Sequence, residues 1–151
     1  AARDAKAAAK IAAAEKKRSD IQSHVKLGAM YEGGTGVAQD YDTAFKWYDL
    51  AARKKNAEAQ YRLGRLYLNP QWIISKISAL TRNSRAMTLF RRAAKQGYAP
   101  AQYFLGRMNN DGYGGSKSLS LAFKWYTLAA EQGNPDAQFQ LAWMYYNGWG
   151  V

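Results

Sequence analysis

A nine-residue segment occurs twice in this chain with a single difference. AFKWYDLAA begins at Ala44, and AFKWYTLAA begins at Ala122. The dipeptide Leu-Gly also recurs, at Leu27, Leu63 and Leu105, in steps of 36 and 42 residues. A fixed period of about 30 to 45 residues is typical of solenoids, in which each repeat buries its apolar face against a neighbour. The recurrence therefore predicts an architectural role for the repeated segment rather than a duplicated active site.

Each repeat is predicted to form two helices, called helix A and helix B below. In AEAQYRLGRLYL the apolar residues fall at i, i+4, i+7 and i+8, on one helical face: Ala59, Leu63, Leu66 and Tyr67. In YDTAFKWYDLAARKK the same spacing is shown by Ala44, Trp47, Tyr48, Ala51 and Ala52. Both patterns predict amphipathic helices that pack as antiparallel pairs.

Short polar residues precede the predicted helices and can cap their free N–H groups. Before helix A these residues are Asp20, Asn56 and Asn134, and before helix B they are Asp40 and Ser118.

Three glycines lie inside helix A, at Gly28, Gly64 and Gly106. A glycine in a helix interior costs about 1 kcal/mol relative to alanine. Its recurrence at one position of the repeat predicts a close approach between helix A and helix B. In the last unit the same position holds Ala142.

The quoted repeats resemble the Sel-1-like repeat, a relative of the tetratricopeptide repeat. The similarity rests on LGAMYEGGTGVAQDYDTAFKWYDLAA, on AEAQYRLGRLY and on AFKWYTLAAEQGNPDAQ. It implies an all-α fold, a right-handed α/α solenoid of antiparallel helix pairs with about three and a half repeats. It also implies a non-enzymatic scaffold or adaptor, commonly in the bacterial periplasm or among secreted proteins.

The organisation expected from these patterns is an Ala- and Lys-rich N-terminal helix over residues 1–19, followed by the solenoid over 20–151. The predicted units are about 20–55, 56–97, 98–133 and an incomplete 134–151, with an insertion at about 69–85. The sequence contains no run of about 18 apolar residues, so no membrane-spanning helix is predicted.

The positive charge of the chain is concentrated in its middle. The net charge is +11, and residues 59–110 contain nine Lys or Arg and no Asp or Glu. Such a surface attracts anions, among them acidic protein segments and nucleic acid.

Patterns that would indicate chemistry are incomplete. The chain has no Cys and a single His, His24, so a metal site would need clustered carboxylates. The Gly-rich loops lack the Lys-Ser/Thr of a phosphate-binding loop. Ser23 to Lys26 fit the S-x-x-K pattern of penicillin-recognising enzymes, but the companion motifs are absent, and Ser23 aligns with alanines expected in the core. We therefore expect no catalytic residues, no metal and no cofactor.

The exposed positions of helix A are the predicted partner site: Lys26, Tyr61, Arg62, Arg65, Tyr103, Phe104 and Arg107. The paired N–H donors of an arginine side chain bind carboxylates or phosphates, and aromatic rings add area for stacking. The expected partner is an acidic protein or peptide, although a solvated basic face over an aromatic core has the same composition. The alternative function is a subunit of a nucleic-acid assembly that uses residues 59–110.

Two further segments are candidate docking surfaces. In the insertion the candidate docking residues are Trp72, Ile73, Lys76 and Ile77. The insertion could equally form an extra turn that packs on its own repeat. The half-repeat at 134–151 is rich in aromatic residues and has no helix B beside it. We expect its exposed face to bind another chain, by self-association or otherwise, or to be covered by further repeats.

Overall fold

The structure is a computed structural model, and it describes the backbone of residues 2–73 and 78–150. Side chains are described for residues 13, 15–72 and 78–150. All regular elements in these ranges are helices: α1 (Ala2–Gly33), α2 (Tyr41–Arg53), α3 (Ala57–Tyr67), α4 (Pro70–Ile73), α5 (Ala79–Lys95), α6 (Ala99–Asp111), α7 (Leu119–Glu131) and α8 (Pro135–Asn147). They fall into two compact units, Ala1–Asn56 and Ala57–Val151.

In the first unit α1 pairs with α2. Helix α1 continues without interruption through Asp20, so the expectation that Asp20 caps a helix is wrong. The predicted division between residues 19 and 20 falls inside this helix. The Ala-rich sequence before Asp20 has a high helix propensity and contains neither Gly nor Pro, so nothing ends the helix there.

The glycines of helix A lie against aromatic rings of helix B, as predicted. A Cβ atom built on Gly28 would lie 2.5 Å from Cε1 of Tyr48. In the second unit, a Cβ on Gly64 would lie 2.7 Å from Cε1 of Phe90. These distances are too short for carbon atoms, so only glycine lets the ring sit on the helix backbone.

The same arrangement recurs between α6 and α7. A Cβ on Gly106 would lie 2.7 Å from Cδ1 of Tyr126, which is 1% exposed. The recurring glycine is therefore a packing requirement of each helix pair, and it explains why the penalty in helix propensity is tolerated.

Three of the predicted caps are confirmed. Asp40 accepts hydrogen bonds from the backbone N–H groups of Asp42 and Thr43 at 3.0 and 3.2 Å. The Ser118 hydroxyl accepts from Leu121 N, and Asn134 Oδ1 accepts from the N–H of the third residue after it. The Thr43 hydroxyl also donates to the Asp40 carboxylate, and this bond lowers the pKa of Asp40 below 3.8.

Within the second unit a glutamine of helix A links successive helices. Gln102 is 4% exposed, and its Nε2 donates to the backbone oxygen of Ala94 on α5 at 3.2 Å. Its Oε1 accepts from Nε2 of Gln132, just after α7, at 2.7 Å. Gln60 accepts a similar bond from Gln96. These bonds satisfy buried polar groups and fix the order of the helices.

The insertion in the second repeat changes how helix B begins. It contains the short helix α4, and α5 is 17 residues long, whereas α2 and α7 have 13. Aligned through the Ala-Ala pairs, Arg82 occupies the position of the caps Asp40 and Ser118. Helix α5 starts one turn earlier, with Ser78 as its cap. Arg82 is therefore a helical residue rather than a cap.

One small-residue position departs from expectation. Ala59, Ala101 and Ala137 are fully buried, but Ser23 at the equivalent position is exposed. Its hydroxyl donates to the backbone oxygen of Ser19, one turn earlier in α1. This bond within the helix accounts for the hydroxyl without a catalytic role.

Candidate functional site

The predicted partner-binding arginines of α3 and α6 lie beside aromatic rings. The guanidinium of Arg65 lies 5.8 Å from the centre of the Tyr61 ring, and that of Arg107 lies 5.6 Å from the Phe104 ring. Both arginines are exposed. Cation–π contacts at these distances hold the guanidinium over the ring while its edge stays available to an anion.

Arg62 differs from these two arginines because an acid sits beside it. Its Nε donates to Oε1 of Glu58 at 2.9 Å, and both side chains are about 30% exposed. The pair is separated by four residues on one helix face, so the positive charge of Arg62 is partly neutralised. The acid-free stretch that begins at residue 59 therefore has an acid against its first arginine.

The predicted aromatic residues form a connected cluster that joins the surface to the core. Ring centroids of Tyr61 and Phe104 lie 5.6 Å apart, and Phe104 lies 5.3 Å from the buried Phe90. Tyr103 lies 5.5 Å from Phe104 and 5.9 Å from Tyr126. Tyr61, Tyr103 and Phe104 are half-buried, so these rings support the fold and also offer an edge to the surface.

The tyrosines at the ends of this cluster stay protonated at neutral pH. Burial, and after it the neighbouring Tyr103, raises the pKa of Tyr126 well above its usual value. Burial, followed by the charge of Glu58, raises the pKa of Tyr98, whose ring lies 5.4 Å from Tyr61. These phenols are thus neutral aromatic groups, and the charge of the surface comes from its arginines.

A groove of about 400 Å³ opens beside this cluster, between the end of α3, the first turn of α5 and the second half of α6. Its lining consists of Leu68, Arg82, Asn83, Phe104, Arg107, Met108, Asp111 and Tyr113. The lining contains apolar side chains, two arginines from different helices and one carboxylate. Such a lining suits a segment with an acidic side chain next to an apolar one.

Of the residues that line the groove only Phe104 and Arg107 were predicted, and Arg82 is the basic residue that the repeat pattern missed. The sequence indicated only that the insertion is basic. Arg82 reaches the groove because the insertion lengthens α5 by one turn, so the arginine stands where other repeats have a cap. The sequence contained one signal of this difference. The second repeat lacks the Gly-rich loop that precedes helix B in the other repeats, so α5 must begin differently from α2 and α7.

The other predicted site residues lie elsewhere. Lys26 is exposed on α1 in the first unit. Trp72 is half-buried, with its ring 6.3 Å from Tyr67, and Arg85 lies over the same tyrosine at 5.7 Å. Here the insertion packs on its own repeat. Lys76, Ile77 and the side chain of Ile73 lie outside the described residues, so docking through the insertion stays a prediction.

The described residues form neither a group of metal ligands nor a membrane-spanning helix. In this part of the chain, no three His, Cys, Asp or Glu side chains are grouped so that they could hold a metal ion. The described helices include none that is long and apolar enough to span a membrane. The ring of His24 packs 5.3 Å from Trp47, and its buried Nδ1 has no hydrogen-bond partner in the described part of the chain.

Comparison with known proteins places these features in a family. The family model of the Sel1 repeat matches residues 21–56, 57–98, 99–134 and 135–151. Chitin synthase regulatory factor 3 of Schizosaccharomyces pombe is 35% identical over 118 residues, which are 77% of this chain and 12% of that protein. Other curated relatives are also much longer than this chain, which spans 22% of one and 8% of another.

Solved structures agree with the sequence comparison. The crystal structure of a Sel1 repeat protein from Oxalobacter formigenes is 32% identical, with a TM-score of 0.69, and the match covers 83% of this chain and 90% of that one. A protective antigen of uropathogenic Escherichia coli with an SLR fold is 35% identical, with a TM-score of 0.79, over 89% of this chain and 28% of the antigen.

These matches confirm the expected all-α repeat solenoid. Sel1-repeat proteins are generally protein–protein interaction scaffolds, and the relatives described here are not named as enzymes. With four matched repeats and solved neighbours of the same fold, this chain belongs to the Sel1-repeat family.

Proposed function

We propose that this chain is a protein-interaction scaffold and that the groove between α5 and α6 binds a short segment of a partner protein. The segment carries a carboxylate, which Arg82 and Arg107 bind, and an apolar or aromatic side chain, which packs on Phe104. Tyr61 and Arg65 extend this surface along α3.

The observation that carries the proposal is the mixed lining of the groove. Arg82 and Arg107 come from different helices, and they line the groove together with apolar side chains, those of Leu68, Phe104 and Met108. Hydrogen bonds between an arginine and a carboxylate are stronger where water is partly excluded. The apolar side chains of the lining also offer contact area, which a solvated basic patch does not.

The acids near the groove favour a protein segment over a nucleic-acid backbone. Asp111 lies in the groove itself, and Glu58 pairs with Arg62 on α3. Nucleic-acid binding rests on the neutralisation of successive phosphates by Lys and Arg, and a carboxylate among these groups opposes it. A peptide can instead place its own basic or hydroxyl group next to Asp111.

The relatives support a binding role. Chitin synthase regulatory factor 3 is named for regulation rather than for catalysis. A scaffold that brings a partner segment to a fixed surface is one way in which such a repeat regulates another protein.

The experiment is a binding selection followed by matched variants. An array of 12-residue peptides carries one Asp or Glu and one Phe, Tyr or Leu at varied spacing, with shuffled and acid-free versions as references. The best peptide is then titrated by calorimetry against the wild type, Arg82→Glu and Arg107→Glu. Each variant reverses a charge at the groove, and we expect the affinity to fall at least tenfold.

The control is Arg91→Glu, an equal change of charge at an exposed position of α5 outside the groove lining. It should leave the affinity within about twofold. Equal losses in all three variants would show that the peptide responds only to net charge. If acidic-aromatic peptides bind no better than their acid-free versions, the proposal is wrong.

A further inference from the structure

The groove of the second unit is lined by one acidic side chain, that of Asp111, among basic and apolar ones. Asp111 is the last residue of α6, and it is exposed. Its Oδ1 accepts a hydrogen bond from Asn110 Nδ2 at 2.9 Å, and within the described part of the chain it forms no ion pair. The groove therefore presents a carboxylate whose charge no cation of the described residues neutralises.

The nearest candidate cation on the same helix makes a different contact. Arg107 precedes Asp111 by four residues, a spacing at which opposite charges can pair on a helix. Its guanidinium instead lies 5.6 Å from the centre of the Phe104 ring. Among the described residues Arg82 has no acidic partner either. The two arginines and the aspartate thus offer separate charges of opposite sign to a ligand.

The place of Asp111 in α6 strengthens its negative field. Free carbonyl groups give the C-terminal end of a helix a partial negative charge, so an acid there is unfavourable and a cation is favourable. The last turn of α6 contains no basic residue that would offset this charge. A positively charged group of a ligand would interact with the carboxylate and with the helix end at the same time.

The order of these groups along α6 gives the order of their partners in a bound segment. Phe104, Arg107 and Asp111 are spaced i, i+3 and i+7, so they lie on one face of the helix. Arg107 lies about 4.5 Å and Asp111 about 10.5 Å beyond Phe104 along the helix axis. In an extended segment, side chains on one side repeat every second residue, about 6.5 Å apart. Three successive side chains on one side of such a segment can therefore reach the three residues.

We infer that the bound segment is zwitterionic, with an apolar, an acidic and a basic side chain at alternate positions in that order or in its exact reverse. The apolar side chain packs on Phe104, the acid binds Arg82 and Arg107, and the base binds Asp111. This inference rests on the proposed function. It adds Asp111 as the residue that distinguishes a zwitterionic segment from a purely acidic one.

Net charge alone predicts the opposite preference. The chain carries +11, so long-range attraction favours the segment with the most acidic residues. A contact with Asp111 instead favours a basic residue next to this carboxylate. The two explanations therefore rank the same pair of peptides in opposite orders.

The test is calorimetry with two 12-residue peptides that carry Phe, Asp and a third residue at alternate positions. The third residue is Lys in the lysine peptide and Glu in the glutamate peptide. The wild type should bind the lysine peptide at least tenfold more tightly, and Asp111→Lys should reverse the order of the two affinities. Equal affinities in the wild type, or tighter binding of the glutamate peptide, would overturn the inference.

Two further measurements test the placement of the base. Moving the lysine by one position turns it to the other side of an extended segment, so the gain in affinity should disappear. If the gain persists, the alternate spacing is wrong. Asp111→Asn should lose the preference for the lysine peptide without reversing it. Circular dichroism should show that both Asp111 variants keep their helix content, because an acid at a helix C-terminus does not support the helix.

Glu131→Lys is the matched control, because Glu131 ends α7 as Asp111 ends α6, is exposed and lies outside the groove lining. It should keep the preference of the wild type, and a reversal there would overturn the role of Asp111.

Arg82→Glu and Arg107→Glu separate this inference from the proposed function. If both variants lower the affinity for both peptides while the wild type binds the two peptides equally, the groove still binds an acidic segment, and only the role of Asp111 is wrong. If neither peptide binds better than a version without acids, the proposed function is wrong and the inference falls with it.

Discussion

The contact between Gly106 and the ring of Tyr126 gives the sharpest test of the packing argument. In an ordinary helix Gly→Ala raises the free energy of unfolding by about 1 kcal/mol through helix propensity. Here the new methyl carbon would lie 2.7 Å from two ring carbons of Tyr126. Carbon atoms prefer separations of about 3.5 to 4.0 Å, so the ring must move by about 1 Å.

The ring has little freedom to make this movement. Tyr126 is 1% exposed and also contacts Tyr103 at 5.9 Å between ring centroids. Overpacking of a tight core costs about 1 to 3 kcal/mol. After the gain in helix propensity is subtracted, we expect Gly106→Ala to lower the free energy of unfolding by about 1 kcal/mol.

The assay is urea denaturation followed by circular dichroism, with Gly33→Ala as the control. Gly33 ends α1, and a Cβ there would lie 3.4 Å from the Thr35 hydroxyl oxygen, an ordinary van der Waals distance. This variant should be neutral or slightly more stable than the wild type. In a Tyr126→Leu background, the effect of Gly106→Ala should also change sign. Stabilisation of the wild-type background by Gly106→Ala would show that the Tyr126 ring does not obstruct a methyl group at residue 106.

Further variants test the caps and the polar links between helices. Ser118→Ala should lower the free energy of unfolding by about 1 kcal/mol in urea denaturation, since it removes an N-cap. The lowered pKa of Asp40 means that its ionised form contributes stability above pH 3.8, and that this contribution is lost as the pH falls through the folded-state value. Asp40→Asn should therefore flatten the acid limb of the pH–stability curve, and an unchanged limb would contradict the assignment. Gln102→Leu should lower the free energy of unfolding by about 1 to 3 kcal/mol, because Gln132 and a backbone carbonyl lose their partner. Gln138→Leu, at an exposed position, should lower it less. Equal losses of stability in thermal denaturation would argue against the buried hydrogen bonds of Gln102.

The helix pairs and their contact points could be predicted from the sequence because they repeat. The spacing of Ala59, Leu63, Leu66 and Tyr67 identified the buried face of α3, and all four residues are buried. A glycine at one position of three successive repeats indicated a close approach, and in every case the partner is an aromatic ring of helix B. Repetition averages out the ambiguity of a single helix.

The first helix shows where a local signal misled. Asp20 aligns with residues that precede helix A in later repeats, and by analogy it was expected to act as a cap. The stretch before it is rich in alanine, however, and a helix that already exists upstream leaves no free N–H groups to cap. Propensity over many residues outweighs one favourable capping residue.

The groove could be predicted only in part. Phe104 and Arg107 followed from the alignment of helix A, but Arg82 enters through the extra turn of α5. That turn depends on how six additional residues fold, and the repeat contains no template for them. The i,i+4 spacing of Glu58 and Arg62 also indicates that they pair. This acid was overlooked because the acid-free stretch of residues 59–110 begins one residue after Glu58.

The most direct test of the proposed function is an NMR titration with the best peptide from the array. Amide and guanidinium signals of a uniformly labelled chain show which residues change on binding. Saturable shifts should be concentrated at Arg82, Phe104, Arg107 and Asp111, and Arg91 should be unaffected. Shifts spread evenly over the arginines, or concentrated outside the groove, would show that the peptide does not bind there.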